Sequence, residues 1–366
     1  MEPIKAVVVD DTIVYRKIVG DVLKSIPGIE VVGTANNGKI ALSKIKTLKP
    51  DLITLDIEMP EVNGIEVLQE LKSMENPPMV VMLSTLTQQG SEMTIKALEL
   101  GAIDFVAKPE EGTMADNMVK VKAALDPIVK LIKRRKGMVP LTPRVTTASP
   151  SRPVVRKPIT RTKGTTSSVA GIRSRSEIIG IGISTGGPNA LTKMIPLLPG
   201  NLKATVLIVQ HMPPMFTASL ANSLNNKSAL EVKEAEDGDV IQPGKVFIAP
   251  GGKQMKIVAG ADGLTRKIKI TNDPPENSCR PSVDYLFRSI AQHYVGRSTG
   301  VIMTGMGSDG SKGLAQMKKN GSLIIAQDEE SCTVFGMPKE PIETGIADVI
   351  APLDRIADEI VKTVIL

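Results

Sequence analysis

Residues 178–188 read Ile-Ile-Gly-Ile-Gly-Ile-Ser-Thr-Gly-Gly-Pro. Six uncharged residues rich in isoleucine form a buried strand pattern. Pro188 then suits only the first turn of a following helix, because it has no N–H to donate and its φ is already helical. A strand running straight into a helix is the unit of a parallel α/β sheet. Within it, Gly182-Ile183-Ser184-Thr185-Gly186 matches G-x-S-x-G, a turn that lifts a serine above such a sheet. Small residues crowd many strand-to-helix turns, so the match alone fits close packing equally well.

Outward from this stretch the alternation continues. Residues 204–209, 300–303 and 323–326 read as strands, while 246–249 and 255–258, with 267–270 close behind, read as an antiparallel hairpin set into that plan. Toward the N-terminus, strand patterns at Ile4–Val9 and at residues 51–55, 79–83 and 103–106 alternate with helical ones at 12–26, 38–48, 65–74 and 91–100. A chain of 366 residues exceeds one ordinary domain. The expected architecture is α/β twice over: a domain over residues 1–130, and a doubly wound, mostly parallel domain with an antiparallel hairpin over 177–366.

Between them, residues 131–176 break the pattern. Residues 133–176 hold 12 Lys or Arg, no Asp or Glu, 5 Pro and 13 Ser or Thr. Such a stretch buries too little apolar surface to offset the entropy of ordering and reads as an extended, flexible linker. With +6 on the whole chain, the remainder carries −6. Acidic folded parts with no Trp, 3 Tyr and 5 Phe argue against a nucleic-acid partner. Cys279 and Cys332 are too few for a disulfide framework and read as inert thiols, neither having a strand-end histidine nearby in sequence. The first apolar run stops at Asp10-Asp11 and no stretch approaches the roughly 20 residues of a membrane span. A cytoplasmic protein without membrane insertion is expected.

Reactive groups in an open parallel sheet collect beyond the carboxyl ends of its strands. In the first domain those ends carry Asp10 and Asp11, Asp56, Ser84 and Lys108. Three clustered carboxylates repel unless a cation sits among them, and hard oxygens suit Mg2+. Asp56 can then attack a phosphoryl group whose oxygens Lys108 and Ser84 hold. An Asp pair after a strand is also a common helix N-cap, but matched residues at successive strand ends favour the site. Through residues 8–11 (Val-Val-Asp-Asp), 55–64 (Leu-Asp-Ile-Glu-Met-Pro-Glu-Val-Asn-Gly) and 107–109 (Ala-Lys-Pro), the first 125 or so residues resemble a receiver domain of bacterial two-component signalling. The resemblance implies a flavodoxin-like fold and phosphotransfer to Asp56 from a histidine kinase. It also implies Mg2+ held by Asp10 or Asp11, Asp56 and the backbone carbonyl of Glu58, with Phe105 as the aromatic switch.

In the second domain, residues 204–210 lead into His211, where a general base can reach Ser184. The other histidine, His293, lies in a helical pattern over 282–294 and reads as packed or solvent-facing. The strand at 300–303 enters Thr-Gly-Met-Gly-Ser-Asp-Gly at 304–310. Its one acid, Asp309, can orient the imidazole, an N-cap or turn role being the alternative. The backbone N–H groups of Thr185 and Met306 are best placed for a developing oxyanion, each such donor being worth roughly 3 kcal/mol of barrier. The order Ser, His, Asp differs from the Ser, Asp, His of α/β-hydrolases.

Residues 183–188, 209–214, 249–252 and 304–310 resemble the catalytic domain of chemotaxis protein-glutamate methylesterases, and a receiver ahead of that domain is that family's arrangement. The resemblance implies Ser184, His211 and Asp309 as a triad, Thr185 and Met306 as oxyanion donors, and no cofactor for hydrolysis. The implied substrates are glutamate methyl esters on methyl-accepting chemoreceptors, cleaved to glutamate and methanol, with deamidation of selected glutamines. The unphosphorylated receiver is expected to lie across the triad rim. Two other readings are weaker. A DNA-binding response regulator could use the basic linker as a phosphate-tracking arm, but residues 177–366 show no helix-turn-helix pattern. A nucleotide-binding turn at 180–186 would need G-x-G-x-x-G, whereas the spacing is G-x-G-x-x-x-G, with Gln210-His211 where a ribose-binding acid belongs.

Overall fold

The computed structural model describes residues 2–109, 111–135 and 175–365. The first domain runs β1 (Ile4–Val9), α1 (Ile13–Ser25), β2 (Ile29–Ala35), α2 (Gly38–Leu48), β3 (Leu52–Asp56), α3 (Gly64–Leu71), β4 (Met79–Ser84), α4 (Gln88–Glu99), β5 (Asp104–Ala107) and α5 (Met114–Arg135). Its sheet is parallel in the order β2-β1-β3-β4-β5. β3 is buried along its whole length, so it reads as a continuous apolar run rather than an alternating one. β2 has no such signature because it is an edge strand, mostly half-buried and carrying Glu30 and Thr34. α3 begins in a capping box in which Asn63 and Glu66 satisfy each other's backbone N–H groups, pinning the loop that follows Asp56.

The second domain runs β6 (Ile178–Ile183), α6 (Gly187–Met194), β7 (Thr205–Gln210), α7 (Phe216–Asn225), β8 (Glu231–Glu234), β9 (Lys245–Ile248), β10 (Gln254–Ala259), β11 (Arg266–Thr271), α8 (Val283–His293), β12 (Ser298–Ile302), α9 (Ser311–Lys319), β13 (Leu323–Gln327), α10 (Lys339–Glu343), β14 (Val349–Ala351) and α11 (Ile356–Ile365). Seven strands form a parallel sheet in the order β14-β13-β12-β6-β7-β9-β8. From β6 the chain first winds one way, to β7, and later returns to the other side through β12. The switch point therefore falls at β6, and its crevice opens at the carboxyl ends of β6, β7 and β12.

Two sequence expectations are corrected here. The run at 246–249 is β9, which pairs in parallel with β7 and β8 in the main sheet; the antiparallel hairpin is β10 with β11 alone. A short apolar run reveals that it is a strand but not which partner it takes. Residues 131–135, read with the linker, continue α5, whose Ile128, Val129 and Ile132 are buried in the same cluster as Ile18, Val22 and Leu23 of α1. The rest of the expected linker, residues 136–174, lies outside the described residues. The second domain engages Ser176, whose N–H donates to Thr363 O and whose hydroxyl pairs with Thr299.

Candidate active site

Backbone hydrogen bonds carry the parallel ladder past the strand ends and set the rim. The Ser184 N–H donates to Thr304 O at 2.9 Å, the His211 N–H to Ile183 O at 3.2 Å and the Met303 N–H to Gly182 O at 2.9 Å. Ser184 thus follows β6, His211 follows β7 and the 304–310 turn follows β12. A Cβ on Gly305 would lie 2.8 Å from the Ser184 Cβ, so that turn touches the serine directly. The first glycine of the G-x-S-x-G match has a different task from lifting the serine. A Cβ on Gly182 would fall 2.4 Å from a Val283 methyl, so its absence lets α8 lie close on the sheet.

That close approach matters because the N-terminus of α8 holds Asp309. The Asp309 Oδ1 accepts from Asn277 Nδ2, Ser282 Oγ and Asp284 N–H at 2.9, 2.9 and 3.1 Å, and Oδ2 accepts from Val283 N–H and His211 Nε2 at 2.7 and 2.8 Å. A buried carboxylate at a helix N-terminus with five donors is strongly favoured in its charged form. Burial alone would raise its pKa, but the bonds from His211, Val283 and Asn277 and the His211 charge bring it down to about 2. Burial likewise disfavours charge on His211, yet hydrogen bonds and charge attraction from Asp309 and Cys279 push its pKa up to about 9. With Nε2 donating to Asp309, Nδ1 is the nitrogen left to accept a proton.

Ser184 and His211 line the same cleft. Among the described residues, the Ser184 hydroxyl makes no hydrogen bond to the imidazole. Such catalytic bonds often tighten only with substrate present. The N–H groups of Thr185 and Met306 are not consumed by hydrogen bonds among the described residues and remain available as donors, while the Thr185 carbonyl is held by Thr304 Oγ1 at 3.0 Å. The set can therefore perform nucleophilic acyl transfer with an oxyanion site.

Sequence reading missed the residues that hold this set together. Gln210, 1% exposed, donates from Nε2 to the carbonyls of both Ser184 and His211 at 3.1 and 3.2 Å, tying the two backbones. Asn277, Ser282 and Asp284 approach from elsewhere in the chain, and no spacing rule announces them. Cys279, read as lacking a histidine neighbour, is corrected: its Sγ lies 3.7 Å from His211 Nδ1. Cys332 fits the inert reading, since burial, with Asp328 and Glu329 adding, pushes its thiol up to about 12. His293 ends α8, away from this cleft.

At the carboxyl edge of the first sheet, Lys108 Nζ bridges Asp10 Oδ2 at 2.8 Å and Asp56 Oδ2 at 2.7 Å. Burial, with Asp10 adding and Lys108 opposing, raises the Asp56 pKa to about 6. Carboxylate oxygens of Asp10, Asp11 and Asp56 lie within 4.8 Å of one another, and Asp10 Oδ2 is buried with no hydrogen-bond partner beyond its ion pair. A hard divalent cation such as Mg2+ fits that donor set. Glu58 is exposed in the loop after β3. Ser84 differs from expectation: its hydroxyl is engaged with Gly90 O and Thr94 Oγ1 of α4, at 3.2 and 2.7 Å, rather than with the acids. Phe105 stacks on Phe216 of the second domain with ring centroids 4.6 Å apart.

This stack belongs to a contact that lays the first domain across the second domain's rim. Asp104 Oδ2 accepts from the Gly186 N–H, two residues past Ser184, at 3.3 Å. Asn189 Nδ2 donates to Ala102 O and Ser91 pairs with Ser219 at 2.7 Å, while Lys227 and Ser223 engage Glu99. Burial raises the Asp104 pKa to about 6 against the pull of N–H bonds from Phe105 and Gly186. A cleft of about 750 Å³ remains between the domains, lined by Phe105, Lys108 and Pro127 on one side and Ser184, Thr185 and His211 on the other.

Each of the two domains matches a known family. Residues 6–120 match the response regulator receiver domain family and residues 179–360 the CheB methylesterase family. A protein-glutamate methylesterase/protein-glutamine glutaminase of Desulfotalea psychrophila is 59% identical over 366 residues, covering 100% of this chain and 99% of that protein. The protein of the same name from Bacillus subtilis is 42% identical over 99% of this chain and 98% of its own. The crystal structure of the Thermotoga maritima CheB methylesterase catalytic domain, 43% identical, covers 52% of this chain and 99% of that one with a TM-score of 0.50. No helix among the described residues is long and apolar enough to cross a membrane.

Proposed function

This chain belongs to the protein-glutamate methylesterase/protein-glutamine glutaminase family, and from that premise we propose that it is a cytoplasmic serine hydrolase of chemotactic adaptation. It removes methyl groups from glutamate methyl esters of chemoreceptors, deamidates selected receptor glutamines, and is governed by phosphorylation of Asp56 by a histidine kinase. The observation that supports this best is the His211–Asp309 pair at 2.8 Å on the rim that also carries Ser184.

In the proposed reaction, Ser184 Oγ attacks the ester carbonyl as His211 Nδ1 takes its proton. The N–H groups of Thr185 and Met306 receive the developing oxyanion. His211 then gives the proton to the departing methoxide, and a water, deprotonated by the same nitrogen, releases glutamate and restores the serine. Hydrolysis needs no metal in this scheme. Mg2+, held by Asp10, Asp11, Asp56 and the Glu58 carbonyl, would neutralise phosphoryl charge at the receiver.

His211 must be neutral to act as base. Because its pKa is raised to about 9, the fraction of competent enzyme falls as pH drops through 9. Initial methanol release at subsaturating substrate should therefore rise about tenfold per pH unit below 9 and level off above it. A flat profile between pH 6 and 9 would contradict His211 as the base.

Regulation follows from the contact across the rim. The Phe105–Phe216 stack is worth about 0.5–1.5 kcal/mol beyond area burial, and the Ser91–Ser219 bond about 1 kcal/mol. The partly exposed Lys227–Glu99 pair adds less. Loss of the stack alone is comparable to the 1.4 kcal/mol that yields about tenfold activation. Phosphorylated Asp56 would draw Ser84 and Phe105 inward and weaken the cover, shifting a two-state equilibrium toward an open rim. Asp56→Asn should keep basal activity but ignore a small-molecule phosphodonor. A fragment beginning near Glu177 should be about tenfold faster than the unphosphorylated full chain. A fragment no faster than the full chain in methanol release would remove occlusion as the mechanism.

A further inference from the structure

The loop from β11 to α8 delivers a thiol to the histidine. Glu276 and Cys279 exchange backbone hydrogen bonds, and left-handed φ values at Asn277 (50°) and Ser278 (62°) turn the chain so that Cys279 Sγ lies 3.7 Å from His211 Nδ1. On the other side of the ring, Nε2 donates to Asp309 at 2.8 Å. One imidazole nitrogen facing a soft ligand while the other is held by a carboxylate is the arrangement of a metal-bound histidine with its outer-shell support. A tetrahedral Zn2+ with Zn–S of about 2.3 Å and Zn–N of about 2.0–2.1 Å sets the two ligand atoms about 3.6 Å apart. The observed 3.7 Å needs almost no movement of either atom. Ligand atoms of His211, Cys279 and Asp309 all lie within 4.8 Å of one another.

We propose that Cys279 Sγ and His211 Nδ1 bind Zn2+ or a similar borderline-soft divalent ion, which switches off the hydrolase by occupying the nitrogen that must accept the Ser184 proton. The metal displaces the thiol proton to solvent and needs the neutral imidazole, so its affinity rises with pH. Two protein ligands leave the remaining positions to water, which makes the site reversible rather than structural. Thiolate and imidazole do not suit Mg2+, which takes the hard oxygens of the receiver. Cys332, half-buried, does not compete, because burial with Asp328 and Glu329 adding pushes its thiol up to about 12. Binding stands independently of the esterase reading; only its inhibitory consequence rests on it.

The test titrates the full chain, in excess Mg2+, with Co2+ while recording the near-ultraviolet thiolate-to-cobalt absorption, and with Zn2+ while following methanol release. We expect the cobalt band to saturate with one equivalent, to vanish in Cys279→Ala and to persist in Cys332→Ala. Zn2+ inhibition of each protein is read against its own metal-free rate, since loss of Cys279 removes one of the groups that raise the His211 pKa, and Zn2+ should inhibit the variant at least about tenfold less strongly. Cys279→Ser, a poorer ligand of nearly the same shape, replaces the alanine variant if the latter unfolds. A band that survives loss of the thiol, or Zn2+ inhibition equal in both proteins, overturns the site. A cobalt band with no methanol release by metal-free wild type would instead overturn the esterase reading and leave the metal site standing.

Discussion

Ser184→Ala is expected to lower kcat for methanol release by about 10⁶-fold while leaving the protein folded. The size follows from the serine and histidine acting as one unit: without the nucleophile, only the oxyanion donors and substrate binding still act on water's attack. The fold should survive because the Ser184 hydroxyl carries no hydrogen bond that truncation would orphan, and the backbone bonds at this position are untouched. Methanol release and circular dichroism on the same preparation check both halves. A folded variant with near wild-type turnover would exclude the serine mechanism and turn attention to Cys279, the thiol already beside the base.

Asp309→Asn should cost about 10⁴-fold in kcat, less than Ser184→Ala, because an amide oriented toward His211 favours the wrong tautomer while nucleophile and oxyanion donors remain. It should also destabilise the fold. The five groups that meet this carboxylate all donate, and an amide must turn its NH2 toward at least two of them. Each buried donor left unpaired costs about 1–3 kcal/mol, or several degrees of Tm for a domain of this size. The pH profile separates a positioning role from simple loss of structure. Without the Asp309 charge, burial dominates at His211, so the limb near pH 9 should move to lower pH. Equal or greater loss than Ser184→Ala in a folded protein, with the limb unmoved, would mean that Asp309 does not support the imidazole.

Much of this was legible in the sequence because strand-to-helix turns are local. Asp10, Asp56, Lys108, Ser184 and His211 each end an apolar run, and a parallel sheet brings such ends to one edge whatever the rest of the chain does. Asp309 was legible for the same reason, as the single acid in the glycine turn after β12. The pairing of β9 is not legible, because its four residues, Lys245–Ile248, state their burial but not their neighbour. The G-x-S-x-G spacing assigns Gly182 to the turn, whereas its work is to admit α8.

The linear chain thus reveals the chemistry available at each sheet edge: the clustered acids of one domain and the serine, histidine and aspartate of the other. Their surroundings come from long-range packing. Asp309 is held by Asn277, Ser282 and the first N–H groups of α8, Asp104 reaches Gly186 across the domain boundary, and Cys279 faces His211 from a loop 68 positions later. The difference is one of range. Periodicity and turn chemistry act over a few residues, whereas these contacts arise when separate elements bury their apolar faces together, and the polar groups carried along with them meet wherever that packing leaves them.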